Sequence, residues 1–471
     1  MSVVDVAIQE SHLRLLNAEL VRADNIERAA YILFGTSRIG SDPFSGEPRV
    51  RISIKEVLPV THSEIKSADA RHVSWSTERY AQLLADAERL GHNVGIAHSH
   101  PCGPETFSTQ DDLNEAELIR MAQNRNGSDA LLASLLITGG GAMRARLWSS
   151  PQRRDDALFI RTIGGRWRIF ANAPRTSGGD GEAWSRQSLA LGPAFNELVR
   201  GLRVGVVGAG GTGSPLLQQL ARLGVGNIAI FDPDTVEVSN LNRVYGATRD
   251  DAELRRSKIE VAQREINRMG LGTNVVTFDD WIGSERCRDA LKSLDIIFGC
   301  TDDHDGRGLL NRLAYYYLIP VIDVGLSLRV TERHGETRLD GDGRVTVLEP
   351  GASCLLCRRV IDPVIASEEA LRRSDPTEYE RRKAEAYVRG EGNPAPAVIS
   401  FTTSVATMAL EEMIQRLQAF RGTDGAIANR VRRFGFAEDV RPGAKTEHCR
   451  ICGNPRIQGA GDIEPFLGRV G

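Results

Sequence analysis

The pattern of apolar and polar residues gives the first part of the chain short, mixed elements. Apolar positions alternate as in a strand at 50–59, and short buried runs with strand character occur at 93–98 and 130–138. Segment 78–91 has the 3.6-residue spacing of an amphipathic helix, and 28–35 fits either a strand or the end of a buried helix. These elements predict a compact α/β domain.

Further along the chain, apolar runs alternate regularly with helical stretches. One helical stretch extends from about Gly213 to Leu223, and the charged segment 366–390 predicts a solvated helix or a mobile crossover. Strand–helix alternation predicts a doubly wound, mainly parallel sheet with helices on both faces, a Rossmann-like fold. The runs predicted as strands are 203–208, 227–232, 274–279, 295–300 and 320–325.

A short hydrophilic segment separates these two regions of the chain. Residues 172–183, with the sequence NAPRTSGGDGEA, are rich in glycine, proline, serine and aspartate, as interdomain linkers are. We therefore predict a first domain over 1–171, this linker, and a second domain over 184–471.

Composition excludes several classes of protein. Hydrophobic residues make up 41% and charged residues 26%, and the net charge of −3 gives no reason to expect a nucleic-acid partner. No run of 18 apolar residues occurs and the N-terminus lacks the features of a secretory signal, so we expect a cytoplasmic protein without a membrane segment. Seven cysteines are too few for a disulfide framework.

The first candidate site begins with two histidines separated by one residue. In His98-Ser-His100 on a strand, side-chain alternation points both imidazoles to one face. With Asp111 they would leave a tetrahedral zinc one open position for water. Zinc lowers the pKa of that water, a nearby carboxylate would serve as general base, and Ser108 would hydrogen-bond a developing oxyanion. The plainer alternative is a buried His-Ser-His beside a helix-capping Ser108 and Asp111.

The order and spacing of these residues resemble the JAMM motif of the Mov34/MPN/PAD-1 metallopeptidases. That family cleaves ubiquitin or ubiquitin-like proteins from the groups attached to their C-termini. The resemblance covers about residues 10–150 and implies that both histidines and Asp111 bind a catalytic zinc. It also implies a catalytic glutamate on an upstream element, for which Glu27 is the best match and Glu19 the nearest competitor.

A glycine-rich turn opens the second candidate site. Gly208-Ala-Gly210-Gly211-Thr-Gly213 follows a predicted strand and begins a helix. Glycines allow a tight turn and a close approach of the backbone to phosphate, and the helix N-terminus supplies free N–H donors. Asp232 ends the next strand, where an acid binds ribose hydroxyls. This pattern alone also fits an NAD-dependent oxidoreductase.

Four further features favour ATP over a dinucleotide. An enzyme that splits ATP between its α- and β-phosphates needs cations for the triphosphate and a carboxylate for magnesium, whereas hydride transfer needs neither. The features are the string from Asp232 through Asp234 and Asn240 to Arg243, Lys258 at a helix start, Asp302 in Cys300-Thr-Asp302-Asp303, and Arg186-Gln187 upstream of the glycine turn.

From about residue 183 to 455 the chain resembles the ThiF/MoeB/HesA family. These relatives of the ubiquitin-activating enzymes use ATP and magnesium to adenylate the C-terminus of a ubiquitin-like protein. Arg186 matches an arginine that the family lends across a dimer interface, so we expect a homodimer; Trp184 stands where the family often has tyrosine. The resemblance implies roles for Asp232 at the ribose, Asn240, Arg243 and Lys258 at the phosphates, and Asp302 at magnesium.

Four cysteines form the third candidate site. Cys354-Leu-Leu-Cys357 and Cys449-Arg-Ile-Cys452 each offer two thiolates to one tetrahedral zinc, and the same family resemblance supports this. A closed shell of four thiolates leaves no position for substrate, so this zinc would be structural and would tie the C-terminal region to the sheet domain. The alternative is two unrelated thiol pairs.

One residue expected from the family is absent. Many members carry a crossover cysteine that forms a thioester, but the matching segment 386–400, AYVRGEGNPAPAVIS, has none, and Val388 or Arg389 lies near the expected position. We interpret Cys102, Cys287 and Cys300 as packing residues. We therefore predict direct transfer from the adenylate or transfer through a hydroxyl. The nearby hydroxyls belong to Ser374, Thr377, Ser400, Thr402, Thr403 and Ser404.

The combined prediction is a bifunctional enzyme of a bacterial ubiquitin-like system. The first half would trim or deconjugate a ubiquitin-like protein to expose its C-terminal glycine, and the second half would adenylate that glycine. A conjugating enzyme is a further possible partner, and no nucleic acid or membrane is expected. The alternatives are sulfur-carrier activation for cofactor biosynthesis, an NAD-dependent oxidoreductase with a metal domain, and a non-catalytic scaffold.

Overall fold

The computed structural model describes residues 3–171, 182–333, 336–384, 396–434, 438–440, 443 and 448–462. Packing divides the chain into two compact units. The first unit comprises Met1–Thr176, Tyr316–Leu318 and Pro455–Pro465; the second comprises Ser177–Tyr315, Ile319–Asn454 and Phe466–Gly471. Most of the predicted linker, 172–181, lies outside the described residues, so the predicted boundaries stay a prediction.

The first unit combines strands with three helices in its described residues. Its helices are α1 (Glu10–Leu20), α2 (Glu78–Leu90) and α3 (Thr109–Asn126). Its strands are β1 (Val3–Gln9), β2 (Ala29–Ile39), β3 (Arg49–Pro59), β4 (Ile65–Ala68), β5 (Val73–Trp75), β6 (Asn93–His100), β7 (Leu132–Thr138), β8 (Met143–Ser150), β9 (Arg153–Ile163) and β10 (Ile169–Ala171).

Eight of these strands form one sheet in the order β1-β3-β2-β6-β7-β8-β9-β10, and β1 also pairs with β9. Strand β6 pairs antiparallel with β2 and parallel with β7, which places its His98–His100 end inside the sheet. Helix α1 packs into the core cluster that contains Leu16 and Ile54, while α2 and α3 pack into a separate cluster around Tyr80 and Ile119. The predicted α/β character of this half is confirmed.

The second unit has a larger set of elements. Its helices are α4 (Ser185–Leu191), α5 (Pro193–Arg200), α6 (Gly213–Leu223), α7 (Arg249–Glu253), α8 (Lys258–Met269), α9 (Glu285–Ser293), α10 (His304–Tyr316), α11 (Pro363–Ser374), α12 (Pro376–Ala384) and α13 (Ile399–Gln418), with short 3-10 helices at Glu182–Trp184 and Val238–Asn240. Its strands are β11 (Arg203–Val207), β12 (Asn227–Phe231), β13 (Asn274–Phe278), β14 (Ile296–Gly299), β15 (Val321–Arg333), β16 (Glu336–Leu348), β17 (Asn429–Arg433) and β18 (Glu438–Val440).

The second sheet has the order β13-β12-β11-β14-β15-β16-β17-β18. Its first five strands run parallel, and β16, β17 and β18 extend it by antiparallel pairing. This confirms the predicted Rossmann-like parallel sheet and adds an antiparallel extension. Strand order reverses at β11, whose neighbours are β12 and β14, so a crevice opens at the carboxyl ends of these strands.

Helix composition in the described segments also bears on membrane association. No helix there is both long enough and apolar enough to cross a bilayer.

Candidate functional sites

The predicted metal ligands of the first unit lie close together. His98 and His100 end strand β6, and Asp111 lies in the first turn of α3. Their ligand atoms all lie within 4.8 Å of one another. The distance from His98 Nε2 to Asp111 Oδ1 is 3.4 Å, and from His100 Nε2 to Asp111 Oδ2 it is 3.7 Å. Three donors therefore converge on one point, as a single metal ion requires.

The state of the two imidazoles also fits a metal ion. His98 Nε2 is buried and has no hydrogen-bond partner among the described residues, an arrangement that costs free energy unless a ligand satisfies the nitrogen. His100 Nδ1 lies 3.0 Å from the carbonyl oxygen of Pro104. A proton on that nitrogen donates to the carbonyl and leaves Nε2 as a lone-pair donor. The residues present thus suit zinc, which takes imidazole and carboxylate ligands.

Glu27 is the carboxylate beside these ligands. Its Oε1 lies 3.9 Å from His100 Nε2, and its backbone N–H donates to the Asp69 carbonyl at 2.8 Å. Burial raises the pKa of the Glu27 carboxyl to about 7, and a nearby cation would lower it again. The competitor Glu19 pairs instead with Arg22 on the exposed side of α1, at 2.5 Å. Of the two glutamates, Glu27 is therefore the one that lies beside the metal-ligand candidates.

Ser108 has the helix-capping arrangement that the sequence left open. It is the N-cap of α3, and its Oγ donates to Asp111 Oδ2 at 2.8 Å while accepting from the Asp111 N–H at 3.2 Å. These bonds fix the orientation of the Asp111 carboxylate. A contact between Ser108 and an oxyanion stays a prediction. Such a contact would require the Ser108 hydroxyl to give up its hydrogen bond to the Asp111 carboxylate.

A cavity of about 780 Å³ opens beside the ligands. Its wall includes both histidines, Asp111, Glu27 and Ser108. Cys102 is exposed at this wall, so the interpretation of this residue as a packing cysteine is wrong. Apolar side chains of the wall come from Val73, Trp75, Ile96, Leu118 and Met121.

The glycine turn of the second unit connects β11 to α6. Gly208 has φ +92, and a Cβ there would lie 2.7 Å from the Cys300 carbonyl oxygen. A Cβ on Gly213 would lie 1.7 Å from the Gly208 carbonyl oxygen. Both positions therefore require glycine. The tight turn presents the N-terminus of α6 to the crevice, where backbone N–H groups favour an anion.

The acidic and basic residues predicted to bind nucleotide hold the loops around this turn. The Asp232 carboxylate accepts from the N–H groups of Ala209 at 2.6 Å and Asp234 at 2.8 Å. Burial raises the pKa of Asp232 above its usual value. Lys258 Nζ pairs with the exposed Asp234 at 2.7 Å, and Arg243 donates to the Ser239 carbonyl at 2.5 Å. Both cations are thus held at the rim of the crevice.

A cavity of about 720 Å³ brings most of the predicted nucleotide residues together. Arg186 is exposed on α4 and does not belong to its wall, and neither does Gly213, whose role is in the turn. Val388 and Arg389, the crossover positions, lie outside the described residues. The predicted residues in the wall are Gly208, Gly210, Gly211, Asp232, Asn240, Arg243, Lys258 and Asp302.

Two arginines that sequence reasoning missed also line this cavity. Arg307 donates to the Asp302 carbonyl at 3.4 Å and lies 3.3 Å from Asp323 Oδ1. Arg373 of α11 forms an ion pair with Asp305, and its guanidinium lies 3.9 Å from the centre of the Trp281 ring. The nearness of Arg307 to the Asp302 motif was a usable signal. No sequence signal pointed to Arg373, because it is one of many charged residues in segment 366–390.

The four cysteines form one cluster in the second unit. The Sγ atoms of Cys354 and Cys449 are 3.5 Å apart, and those of Cys357 and Cys452 are 3.3 Å apart. All four ligand atoms lie within 4.8 Å of one another, and no disulfide joins them. Burial raises the pKa of Cys354 and of Cys452, so deprotonation of this cluster needs a compensating cation. The four thiols therefore fit a tetrahedral metal site.

The other two cysteines of the second unit, the buried Cys287 and the half-buried Cys300 at the nucleotide cavity, are poor nucleophiles. Burial raises the pKa of Cys300 to about 12 and that of Cys287 to about 11. Their thiols stay protonated near neutral pH, and only a thiolate attacks efficiently. Among the six hydroxyl residues considered for acyl transfer, Thr402 lines the nucleotide cavity.

Comparison with protein families divides the chain in the same way as its motifs. The model of the ThiF family matches residues 184–450. The model described as prokaryotic homologs of the JAB domain matches residues 9–150. The first match covers more than half of the chain, and the second contains Glu27 and every predicted ligand of the first metal site.

Curated relatives match parts of the second unit. "Adenylyltransferase and sulfurtransferase UBA4" of Saccharomyces cerevisiae (strain YJM789) is 35% identical over 157 residues, which are 33% of this chain and 32% of that protein. "Molybdopterin-synthase adenylyltransferase" of Haemophilus influenzae is 31% identical over 149 residues, 31% of this chain and 60% of that protein. The chain thus spans about a third of the length of the first curated relatives it matches.

Solved structures that match the chain include E. coli MccB with MccA-N7isoASN. It has a TM-score of 0.45 and 16% identity, and the match covers 61% of this chain and 78% of that one. SeMet PaaA has a TM-score of 0.42 and 18% identity, covering 57% of this chain and 85% of that one.

Proposed function

The chain belongs to the ThiF family, and on that premise we propose that its second unit adenylates the C-terminal glycine of a ubiquitin-like protein. One observation carries this proposal. Three glycines of the turn, Asp232, the predicted cations Arg243 and Lys258, and Asp302 all line a single cavity of about 720 Å³. A cavity of this size accommodates a nucleotide together with the end of an extended peptide.

The charges of this cavity suit transfer of an adenylyl group. A carboxylate oxygen of the glycine attacks the α-phosphorus of ATP, the bond to the β-phosphate oxygen breaks, and pyrophosphate leaves. Lys258 and Arg243 would balance the negative charge of the departing phosphates, and Asp302 would hold magnesium. Lys258 pairs with the exposed Asp234. A triphosphate carries more charge than one carboxylate and would compete for that lysine.

The proposed reaction has a direct test in ATP–pyrophosphate exchange, measured with a ubiquitin-like protein that ends in glycine. Asp302→Ala and Lys258→Ala should each lower the exchange rate by about 10²–10³-fold. Lys383→Ala is the matched control, because Lys383 is exposed on α12. Exchange that survives both cavity variants, or that needs no protein partner, would refute the assignment.

We further propose that two copies of the chain form the adenylating enzyme. Arg186 is exposed on α4 and does not line its own cavity, and Leu189 on the same helix is 89% exposed. An apolar side chain so exposed beside a cation supports an interface with a second copy. Arg186→Ala and Asp302→Ala should each be inactive, and their mixture should recover part of the exchange. Mixed dimers without recovery would exclude a role for Arg186 across the interface.

The first unit is proposed to be a zinc peptidase or isopeptidase that frees the C-terminal glycine. Zinc, when bound, would make a water molecule acidic and polarise the scissile carbonyl. Glu27, buried 3.9 Å from His100, would take the proton from water and deliver it to the leaving nitrogen. Capping by Ser108 would hold Asp111 in place. The observation that carries this proposal is the convergence of three ligands and Glu27 on one cavity.

Acyl transfer is proposed to proceed without a thioester. The three cysteines outside the metal cluster are the buried Cys287, the buried thiol of Cys300 and the exposed Cys102 of the first unit. Trapping the chain with ATP and its partner should give either no adduct or one that base cleaves and thiol does not. In the second case Thr402→Ala is the first variant to examine. A thiol-labile adduct that disappears on replacing one of the three cysteines would refute this route.

Sulfur-carrier activation is the second candidate function, favoured by the names of the curated relatives. It would use the same adenylate, which an external sulfur donor would then attack. Detection of a C-terminal thiocarboxylate on the partner would support it, and an amide-linked conjugate would support conjugation. The NAD-dependent alternative has less support, because Lys258, Arg243 and Asp302 have no role in hydride transfer.

A further inference from the structure

Beyond the three ligands, one buried cluster of the first unit has no role in the proposed function. Glu115, on α3, is completely buried and accepts three hydrogen bonds: from Ser134 Oγ at 2.7 Å, Arg146 Nε at 2.7 Å and Trp148 Nε1 at 2.6 Å. Arg146 Nη1 also pairs with Asp112 at 2.6 Å. Arg146 therefore joins β8 to two carboxylates of the helix that carries Asp111.

Arg146 has a second contact, through the flat face of its guanidinium. The guanidinium carbon lies 3.8 Å from the centre of the Phe107 ring. Phe107 in turn lies against the metal ligand His98, with ring centres 5.8 Å apart. Phe107 is thus placed between a buried arginine and a metal ligand.

We propose that Arg146 is a positioning residue for the metal centre, acting on His98 through Phe107 and on Asp111 through the first turns of α3. This inference concerns the same site as the proposed peptidase and rests on that function only for its activity readout. Two hydrogen bonds fix the plane of the guanidinium, and stacking then fixes the Phe107 ring. The ring limits rotation of the His98 imidazole, so that Nε2 stays directed at the other ligands.

The two histidines would then be oriented by different means. His100 is held by a hydrogen bond from Nδ1 to the Pro104 carbonyl, at 3.0 Å. His98 is held by ring packing. Groups that orient metal ligands from behind usually contribute about 10- to 100-fold to metal affinity. A purely structural arginine, which only neutralises Glu115 and Asp112, would stabilise the fold without that effect on the metal.

Phe107→Leu separates these two roles, because it removes the aromatic face but leaves the ion pairs of Arg146 in place. The measurement is the zinc dissociation constant of the full-length protein, from competition with a chromophoric chelator. We expect Phe107→Leu to lower the zinc affinity of the first site by about 10- to 100-fold. Phe107→Tyr keeps the aromatic ring and should bind zinc with native affinity. The four-cysteine site in the same chain is the internal control and should be unchanged.

Arg146→Lys tests the arginine itself, since lysine keeps the charge but not the planar fork. It should weaken the first zinc site as Phe107→Leu does. If Arg146→Lys does not fold, the comparison of Phe107→Leu with Phe107→Tyr still tests the proposal. Zinc affinity within about twofold of the native value in Phe107→Leu overturns the proposal, and a native affinity in folded Arg146→Lys overturns the part played by arginine.

The activity readout distinguishes failure of this inference from failure of the proposed peptidase. With the zinc sites saturated, Phe107→Leu should lower kcat and leave KM unchanged, because the substrate cavity keeps its walls. Should the native protein cleave nothing, the peptidase assignment fails while the zinc measurements still decide the role of Arg146.

Discussion

The two candidate metal sites of this chain use opposite arrangements. His98, His100 and Asp111 come from one strand end and the helix that follows it, and they open on a cavity of about 780 Å³. The four cysteines come from two pairs 95 residues apart in the chain, and two of the four are completely buried. Around a tetrahedral ion the first group would leave one coordination position free, whereas the second would fill all four.

This difference predicts that the first site serves catalysis and the second stabilises the fold. A three-donor group with a carboxylate such as Glu27 beside it would suit activation of a metal-bound water. We expect the fold around it to persist without the metal, because its sheet and helices have their own apolar clusters. A four-thiolate group has no room for substrate and joins distant segments, so its metal contributes to folding. Four variants or treatments test the comparison, and they are ordered by the size of the expected effect.

The largest effect is expected from Cys354→Ser with Cys357→Ser. Loss of two thiolates removes the structural zinc, whose binding contributes on the order of 10 kcal/mol to folding in small zinc domains. Elemental analysis should fall from about two zinc ions per chain to about one, and the thermal transition of the second unit should be lost or strongly lowered. Cys102→Ser is the control and should retain both ions. An unchanged transition in the double variant would show that the cluster is not structural.

Replacing His98 and His100 together by alanine should abolish cleavage with little change in stability. The variant should lose the other zinc, because Asp111 alone cannot hold it. Circular dichroism should show a native fold, and ATP–pyrophosphate exchange should continue at the native rate. Unfolding of the first unit in this variant would contradict the comparison, because the first site would then be needed for folding, like the second.

Glu27→Gln should lower the cleavage rate by about 10²–10⁴-fold while both zinc ions stay bound. Glutamine keeps the shape of the side chain but cannot carry the proton. Glu19→Gln is the matched control, because Glu19 pairs with Arg22 away from the ligands. Native cleavage by Glu27→Gln would show that another acid transfers the proton.

The smallest lasting effect is expected from brief treatment with a chelator, because added zinc reverses it. The open site should lose its metal first, because solvent and chelator reach it through the cavity. Cleavage should stop while pyrophosphate exchange and the thermal transition of the second unit persist, and added zinc should restore cleavage. Simultaneous loss of both activities would indicate that the two metals are equally exposed.

The sequence predicted those parts of the sites in which local geometry determines the position of a residue. His98 and His100 share a face because a strand alternates, and Asp111 faces them because a capped helix begins at Ser108. Gly213 marks the start of α6, as predicted. Glu27 could be named only by resemblance, since nothing local connects it to β6; the β2–β6 pairing brings it there.

Features created by packing between distant elements were beyond sequence reasoning. Strand β16 contains charged residues and glycines in place of an apolar run, so neither it nor the antiparallel extension was predicted. Arg373 reaches the nucleotide cavity only because α11 packs near Trp281. Arg146 was invisible for the same reason, as its partners Asp112 and Glu115 lie on another element.

We propose that the two units act in sequence on one partner, and a partner with a C-terminal extension tests this order. The substrate is a ubiquitin-like protein extended by several residues beyond its C-terminal glycine, and the readout is ATP–pyrophosphate exchange. The native chain should support exchange after a lag in which the extension is removed. Glu27→Gln should support none with the extended partner but the full rate with a partner that ends in glycine. Equal exchange by Glu27→Gln with both partners would contradict the account.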